Sequence, residues 1–412
     1  MREADRDRRE SGQPRPLRCF FGAGCLGKPP QKRRGVSAGP EVENPGSKRP
    51  PIWVVPIEIA CCCVWPNASA STSAIWSPQS HRCRVQRRLR AWFSVLLVAA
   101  LTACGGGGGG VSPLPRPTSP PVTVPAVSVS RYMATADPTT LYDEGCTQGK
   151  EDANALVVLD FGMPAYDATS GQYGSHTFAA NNPFASIAAI TSAAQSYLGG
   201  FSACRVGSEA LALAVGTSNY PGSDNQAQGT VTSQHGAAWA GMIDTLVTYV
   251  ENQGAAAYET VYGADDIEPG WGLAQYARNW VDGYHQNATA SLVDYGSADN
   301  CPTGQGGSCA NGWTQDDEYY VAFGSGPSAP MPEIYDTGGI MAAQWYNISL
   351  YGYLKYGKAI RFSGPMTQYA ACACGNGTNS PQRGYEELYA DLNADSRTAQ
   401  TPPYITDITW EN

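Results

Sequence analysis

The chain has 412 residues, 42% of them hydrophobic, and a formal net charge of −9. That average conceals two unlike parts, because residues 1–104 hold 17 Lys/Arg against 7 Asp/Glu, whereas residues 105–412 hold 10 against 29. So large an acidic excess in the longer part excludes nucleic acid as its partner, since nucleic acids are held by clustered Lys and Arg.

The basic part comes first. Residues 1–86 are rich in Arg, Pro and Gly, contain Cys61-Cys62-Cys63 and show no sustained period, so no packed fold is expected of them. RRLRAWFSVLLVAALTAC (87–104) then runs from arginines through an apolar stretch to Leu-Thr-Ala-Cys. The apolar stretch is about a dozen residues, short of the ~20 that cross a bilayer. Its layout is that of a secretory signal peptide. The ending resembles a bacterial lipoprotein signal, which implies Cys104 as the lipid-modified first residue of an envelope protein held at the outer membrane or cell surface. An ordinary small-residue cut site is the alternative. A signal belongs near a true N-terminus, so residues 1–86 read as a mis-set translation start; a basic nucleic-acid arm is the competing reading and fits poorly with export.

Residues 105–130 open with six glycines and continue as VSPLPRPTSPPVTVPAV. No strand precedes the glycines and no helix follows, so they are a flexible tether and not a phosphate loop. The remaining stretch, 131–412, is about 280 residues, a comfortable size for one α/β barrel.

From there strands and helices alternate. ALVVLDFGMP (155–164) is an apolar run suited to a strand buried on both faces. An Ala-rich helix is expected over 182–201, a second strand over 209–220 and a helix over 233–253 that Gly254 stops. AAAYETVYGADDIEP (255–269) predicts a third strand, 272–287 a helix and 291–297 a fourth strand. YYVAFG (319–324) and PEIYD (332–336) predict a fifth and a sixth. A helix over 339–357, a seventh strand over 360–368, a helix around 383–392 and an eighth strand over 404–410 complete the pattern. The fold class is α/β with parallel strands: a (β/α)₈ TIM barrel, with an open doubly wound sheet as the alternative. No GxGxxG follows a strand, so no dinucleotide and no other cofactor is called for.

Beyond Cys104 there are six cysteines, Cys146, Cys204, Cys301, Cys309, Cys372 and Cys374. An even number in an exported domain favours disulfides. Cys301–Cys309 would close a Gly-rich loop and Cys146–Cys204 would tie the first segment to the first helix, although six cysteines allow other pairings. Cys372-Ala-Cys374 is not a Cys-x-x-Cys site, and with few histidines nearby no metal is expected. His176, His235 and His285 lack a partner at triad spacing and read as surface or capping residues. No Gly-x-Ser-x-Gly elbow appears, which disfavours a serine hydrolase.

In a (β/α)₈ barrel the chemistry collects at the C-terminal ends of the strands. Those ends carry Asp160; Asn219 and Tyr220; Asp265, Asp266 and Glu268; Tyr295; Glu333 and Tyr335; and Gln368. Side chains alternate along a strand, so Asp266 and Glu268 share one face and Asp265 takes the other. Two carboxyls in one pocket raise each other's pKa, which keeps a general acid protonated. Pro269-Gly270-Trp271 turns the chain and sets an indole at the rim, where sugar rings stack well.

An Asp-x-Glu at a strand end, in a barrel whose first strand ends in Asp, resembles the glycoside hydrolase barrels of lysozyme-like muramidases and chitinase-like proteins. The resemblance implies Glu268 as general acid/base, Asp266 as its partner and Asp160 in the same cleft. It also implies a glycan substrate bound by Asn219, Tyr220, Trp271, Tyr295, Glu333, Tyr335 and Gln368. The chain departs from these families in lacking a longer run of spaced aspartates, and its motif falls on the third expected strand instead of the fourth. A strand before residue 155, or one between 220 and 255, would restore the count. The competing reading is a barrel without catalysis that binds glycan or serves as a surface interaction module.

Overall fold

The computed structural model describes residues 122–224, 226–371 and 378–411. The expected mis-set start (1–86), the signal (87–104) with Cys104, most of the tether, and Cys372 and Cys374 lie outside the described residues.

Seven strands form one all-parallel sheet, in which neighbours run β8-β7-β6-β2-β1-β10-β9. They are β1 (Val127–Tyr132), β2 (Ala155–Asp160), β6 (Leu211–Ser218), β7 (Glu259–Asp266), β8 (Leu292–Asp294), β9 (Met366–Thr367) and β10 (Ile405–Trp410). The ring closes between β8 and β9 through the extended segment 327–334. On one side Leu292 N–H donates to Pro327 O, and Ala329, Met331 and Glu333 N–H donate to Leu292, Asp294 and Gly296 O, at 2.8–3.1 Å. On the other, Ile334 N–H donates to Met366 O, and Met366 and Ser363 N–H donate to Pro332 and Pro330 O. Pro330 and Pro332 fall on the β9-facing side and carry no N–H, so this eighth member is a broken ladder. The closed ring excludes the open doubly wound sheet.

Two expectations change. Residues 319–324 are not a strand: Thr314 and Asp317 form a capping box that starts helix α5 (Gln315–Tyr319), and the chain continues as a π-turn through Tyr320–Gly324. Short apolar runs do not distinguish a buried strand from a buried helix, and here the cap decides. The strand missing before residue 155 is β1, which pairs with both β2 and β10 and takes residues read as the end of the tether. With β1 counted, the Asp266-Ile267-Glu268 motif sits at the end of the fourth barrel strand.

Helices pack on the outside: α1 (Pro138–Gly149), α2 (Ile187–Cys204), α3 (Ser233–Asn252), α4 (Ala274–His285), α6 (Ile340–Tyr356) and α7 (Pro381–Leu392). Between them and the ring lies a shell built from odd-numbered strand residues such as Val157, Leu159, Leu213 and Val215. The even-numbered set, Leu156, Val158, Ala212, Ala214 and Ala264, fills the lumen with Tyr132, Tyr295 and Met331. That division is the alternation of a strand covered on both faces. Gly216 lacks a side chain because a Cβ there would meet the Tyr295 hydroxyl at 2.6 Å.

An antiparallel sheet was not legible as such. β3 (Met163–Asp167), β4 (Gln172–His176) and β5 (Phe184–Ser186) insert between β2 and α2. Asp167 accepts Thr169 and Ser170 N–H and Gly171 takes φ 70°, closing the hairpin. Two disulfides form, Cys146–Cys204 and Cys301–Cys309. The first spans 58 residues, and closing a loop of that length in the unfolded chain is worth about 4 kcal/mol in the chain-entropy account.

Candidate active site

The mouth is built by strand ends. β2 finishes in Asp160, whose Oδ1 accepts the Gly162 N–H at 2.8 Å, and Gly162 at φ 87° turns the chain off the sheet. β6 and β7 run in register through Ser218 and Asp266. Beyond β7, Glu268 is fixed through its backbone: its N–H donates to Asn219 Oδ1 at 3.0 Å, and Asn219 Nδ2 donates to Glu268 O at 3.2 Å. Segment 327–334 delivers Glu333 from across the ring.

These strand ends converge. Asp266, Glu268 and Glu333 each bring a carboxylate oxygen within 4.8 Å of the other two. Asp266 is 5% exposed, Glu333 6% and Asp160 1%, while Glu268 is half-buried. Burial raises all four, and repulsion from neighbouring acids adds to it at Asp266, Glu268 and Glu333. Asp160 is pushed to about 7 by burial, against the Gly162 N–H that lowers it. Glu333 is pushed to about 8 by burial, with Tyr335 hydrogen-bonding to its charged form and holding it down. Asp266 and Glu268 are held well above the usual carboxylate range by burial first and Glu333 second. Behind them lie Asp265, Asp294 and Glu318, all fully buried and all raised by burial. Asp299 contributes further negative charge to Glu268, Glu318 and Glu333.

A cleft of about 250 Å³ opens over this well, lined by Asp160, Asp266, Met163, Ser218, His176 and Asn182, with Phe178, Tyr220 and Trp271 as its aromatic walls. Tyr220 and Trp271 pack edge to face at 5.7 Å. Opposite, Tyr132, Phe178 and Trp410 cluster with ring centres 4.6–5.7 Å apart. Gln368 Nε2 donates to the Tyr132 hydroxyl at 2.6 Å, and that hydroxyl lies 3.5 Å from Tyr335 Oη.

Of the residues singled out in the sequence, Asp160, Asp266, Tyr220 and Trp271 line the cleft, with Glu268 and Glu333 beside Asp266. Tyr335 and Gln368 join the hydroxyl network. Asn219 and Tyr295 lie deeper: Asn219 is 2% exposed and its amide is spent on Glu268, and Tyr295 sits in the lumen donating to Thr217 O at 2.8 Å. Asp265, expected on the face opposite Asp266, is a fully buried acid with neither carboxyl oxygen hydrogen-bonded. His235, read as a surface or capping residue, is fully buried, bonded to Gly174 O and the Trp280 indole N–H, and pushed down to about 4 by burial. The absence of metal was argued from histidine and cysteine, yet the three-carboxylate set has oxygens spaced for a hard divalent cation. Tyr132, Phe178, Trp410 and Glu318 were not singled out. Trp410 ends an expected strand, so strand-end position was the signal that could have found it.

No protein-family model and no curated protein matches the sequence. Among solved structures, the chain is similar to an endo-1,4-β-mannanase from Rhizomucor miehei at 9% identity, covering 70% of this chain and 86% of that one with a TM-score of 0.36. A GH26 endo-β-1,4-mannanase catalytic domain from Bacillus sp. JAMB-750 aligns at 11% identity, covering 70% and 77%, with a TM-score of 0.33. Likeness at this level carries no information about substrate.

Proposed function

We propose that the protein is an exported, lipid-anchored glycoside hydrolase, tethered through Cys104 and acting on a glycan at the mouth of its barrel. The observation that carries this reading is the convergence of Asp266, Glu268 and Glu333 within 4.8 Å, with Asp266 lining a cleft walled by aromatic rings. Glycosidic bonds are broken by two carboxyls of unlike protonation. Glu268, held protonated, is the acid that protonates the leaving oxygen. Glu333 has the Tyr335 hydroxyl favouring its charged form, which suits the carboxylate that meets the anomeric carbon. One oxygen of each lies within 4.8 Å of the other, short of the ~6.5–9.5 Å an inverting pair needs for its water, which favours a retaining pair. Burial first and the Glu333 charge second keep the proton on Glu268, and Asp266 has an oxygen within 4.8 Å of both. Asp160 borders the same cleft and orients the sugar.

The experiment is a hydrolysis screen of cell-wall, chitin-type and neutral plant glycans from about pH 4 to pH 8, with Glu268→Gln in parallel. Cleavage that disappears in Glu268→Gln while substrate binding persists is expected. Full activity of that variant rules out the assignment, and binding with no cleavage at any pH supports the non-catalytic module.

A further inference from the structure

The well gathers eight acidic side chains, Asp160, Asp265, Asp266, Glu268, Asp294, Asp299, Glu318 and Glu333, whose repulsions fall on one another. Among the described residues no Lys or Arg lines the cleft, and none is among the groups that shift Asp160, Asp266, Glu268 or Glu333. The ion pairs among the described residues lie elsewhere: Arg131 with Glu144, Arg205 with Glu209, Arg278 and Lys355 with Asp316, Arg383 with Glu387, and Arg397 with Asp395. Among the described residues these ion pairs do not involve Asp160, Asp266, Glu268 or Glu333.

A second observation points to a ligand. Asp266 Oδ1 has no hydrogen-bond partner although the residue is only 5% exposed and lines the cleft. A buried carboxyl oxygen without a partner is costly, and an ammonium arriving beside it would give it a donor and favour its ionised form. The aromatic walls limit what that donor is. A hydrated metal ion gains nothing from the faces of Tyr220, Trp271 and Phe178, whereas an ammonium group on a sugar ring gains from both. Its ring packs on the aromatics, and its charge meets carboxylates and π-faces together.

The geometry points to a cationic glycan, a polymer of hexosamine with free amino groups, whose ammonium is received by Asp266 beside Asp160. This rests on the glycoside hydrolase reading and names its substrate class. A neutral or acidic glycan would bring no positive charge to these carboxyls, and an N-acetyl group would put a neutral amide in place of the ammonium.

The test uses the full mature chain with matched pairs of oligosaccharides, glucosamine and galactosamine oligomers in de-N-acetylated and N-acetylated forms, a mannan oligomer, and CaCl₂ alone. Binding is measured by calorimetry and cleavage by product analysis. The expected result is a de-N-acetylated oligomer bound at least about tenfold more tightly than its acetylated twin, weakening as salt is raised. Asp266→Asn should remove that preference, and thermal denaturation identifies a variant that has failed to fold; Asp160→Asn then repeats the measurement. Equal or tighter binding of the acetylated twin overturns the inference. Cleavage of the neutral oligomer with no response to any amine overturns it while leaving the glycosidase reading standing. A response to Ca²⁺ with none to the amines assigns the well to a metal and overturns it too, and no binding or cleavage of any glycan removes both readings.

Discussion

Two acidic doublets sit in opposite electrostatic states. Asp316 and Asp317, at the start of α5, are surrounded by partners. Lys355 Nζ lies 2.8 Å from Asp316, Arg278 Nε lies 2.7 Å from Asp317, and the Tyr351 and Tyr356 hydroxyls donate to Asp316. Partial burial pushes Asp316 up, but Lys355 and Tyr356 outweigh it and hold it below the usual carboxylate range. Asp265 and Asp266, at the end of β7, are buried with no cation and are raised far above that range. The same dipeptide is thus a structural clamp in one place and a store of unfavourable charge in the other. Acids that cost stability and receive no partner mark where a ligand is to supply one.

The contrast can be broken or sharpened by measurement. The largest effect is expected of Glu268→Gln, which should lower kcat on a cleaved glycan by about 10³-fold with little change in KM, the scale of losing a general acid. Next is Asn219→Ala, which frees the Glu268 backbone without touching its carboxyl. A displacement of ~1 Å costs roughly 10²-fold, so kcat should fall by about that much, while Asn219→Gln should restore less than Asn219 itself supplies. Tyr335→Phe removes the hydroxyl that favours ionised Glu333. Its pKa of about 8 then moves further up, so the acidic limb of the kcat/KM profile should shift to higher pH by about one unit.

Smaller effects follow for stability. A carboxyl whose folded pKa lies above its unfolded value of ~4 favours folding while protonated. That contribution is complete below the unfolded value and is lost as pH rises towards the folded one. Asp160 and Asp294 at about 7 and Glu333 at about 8 place the loss between about pH 4 and pH 8. His235 and His285, pushed down to about 4 by burial, act in the other direction, costing stability as pH falls below ~6.5. Tm should therefore rise by on the order of 5 °C between about pH 8 and pH 6.5 and go on rising more slowly towards about pH 4, where the two histidines offset part of the gain. Differential scanning calorimetry checks this, and a Tm that falls over that interval contradicts the protonated well. The smallest effect is expected of Asp316→Asn, roughly 0.2–1 kcal/mol of stability by denaturant titration with unchanged turnover, since its pairs face solvent.

Much of this was legible in the chain because strand ends are legible. ALVVLD and ALAVGTS are buried on both faces in a parallel ring, so they read as apolar runs, and the polar residues that stop them sit where the chemistry collects. The parity argument also held, because Asp266 and Ile267 do face opposite layers: Asp266 lines the cleft and Ile267 packs in the outer shell. β1 was hidden because Val-Ser-Val-Ser alternates like a tether and follows prolines. Its serines serve the lumen by hydrogen bonds, Ser130 to Thr406 and Ser128 to Leu156 O, in place of apolar bulk. The well itself was only partly visible. Glu318 reaches it from a helix read as a strand, and Glu333 from a segment whose prolines break the ladder, so neither place could be fixed by spacing along one element.

Ring closure also sets a timetable. β1 pairs with β10 from Val127↔Ile405 to Tyr132↔Trp410, a separation of 278 residues at each step. Until the last strand is made, β1 has a neighbour on one side only and shows an unpaired edge of the kind that invites wrong partners. Tyr132 and Trp410, which meet across that seam at 4.6 Å, also pack against Phe178, a wall of the cleft. A nascent chain therefore has no closed seam until residues 405–410 are made, and deleting them would remove the seam and the packing behind Phe178 together.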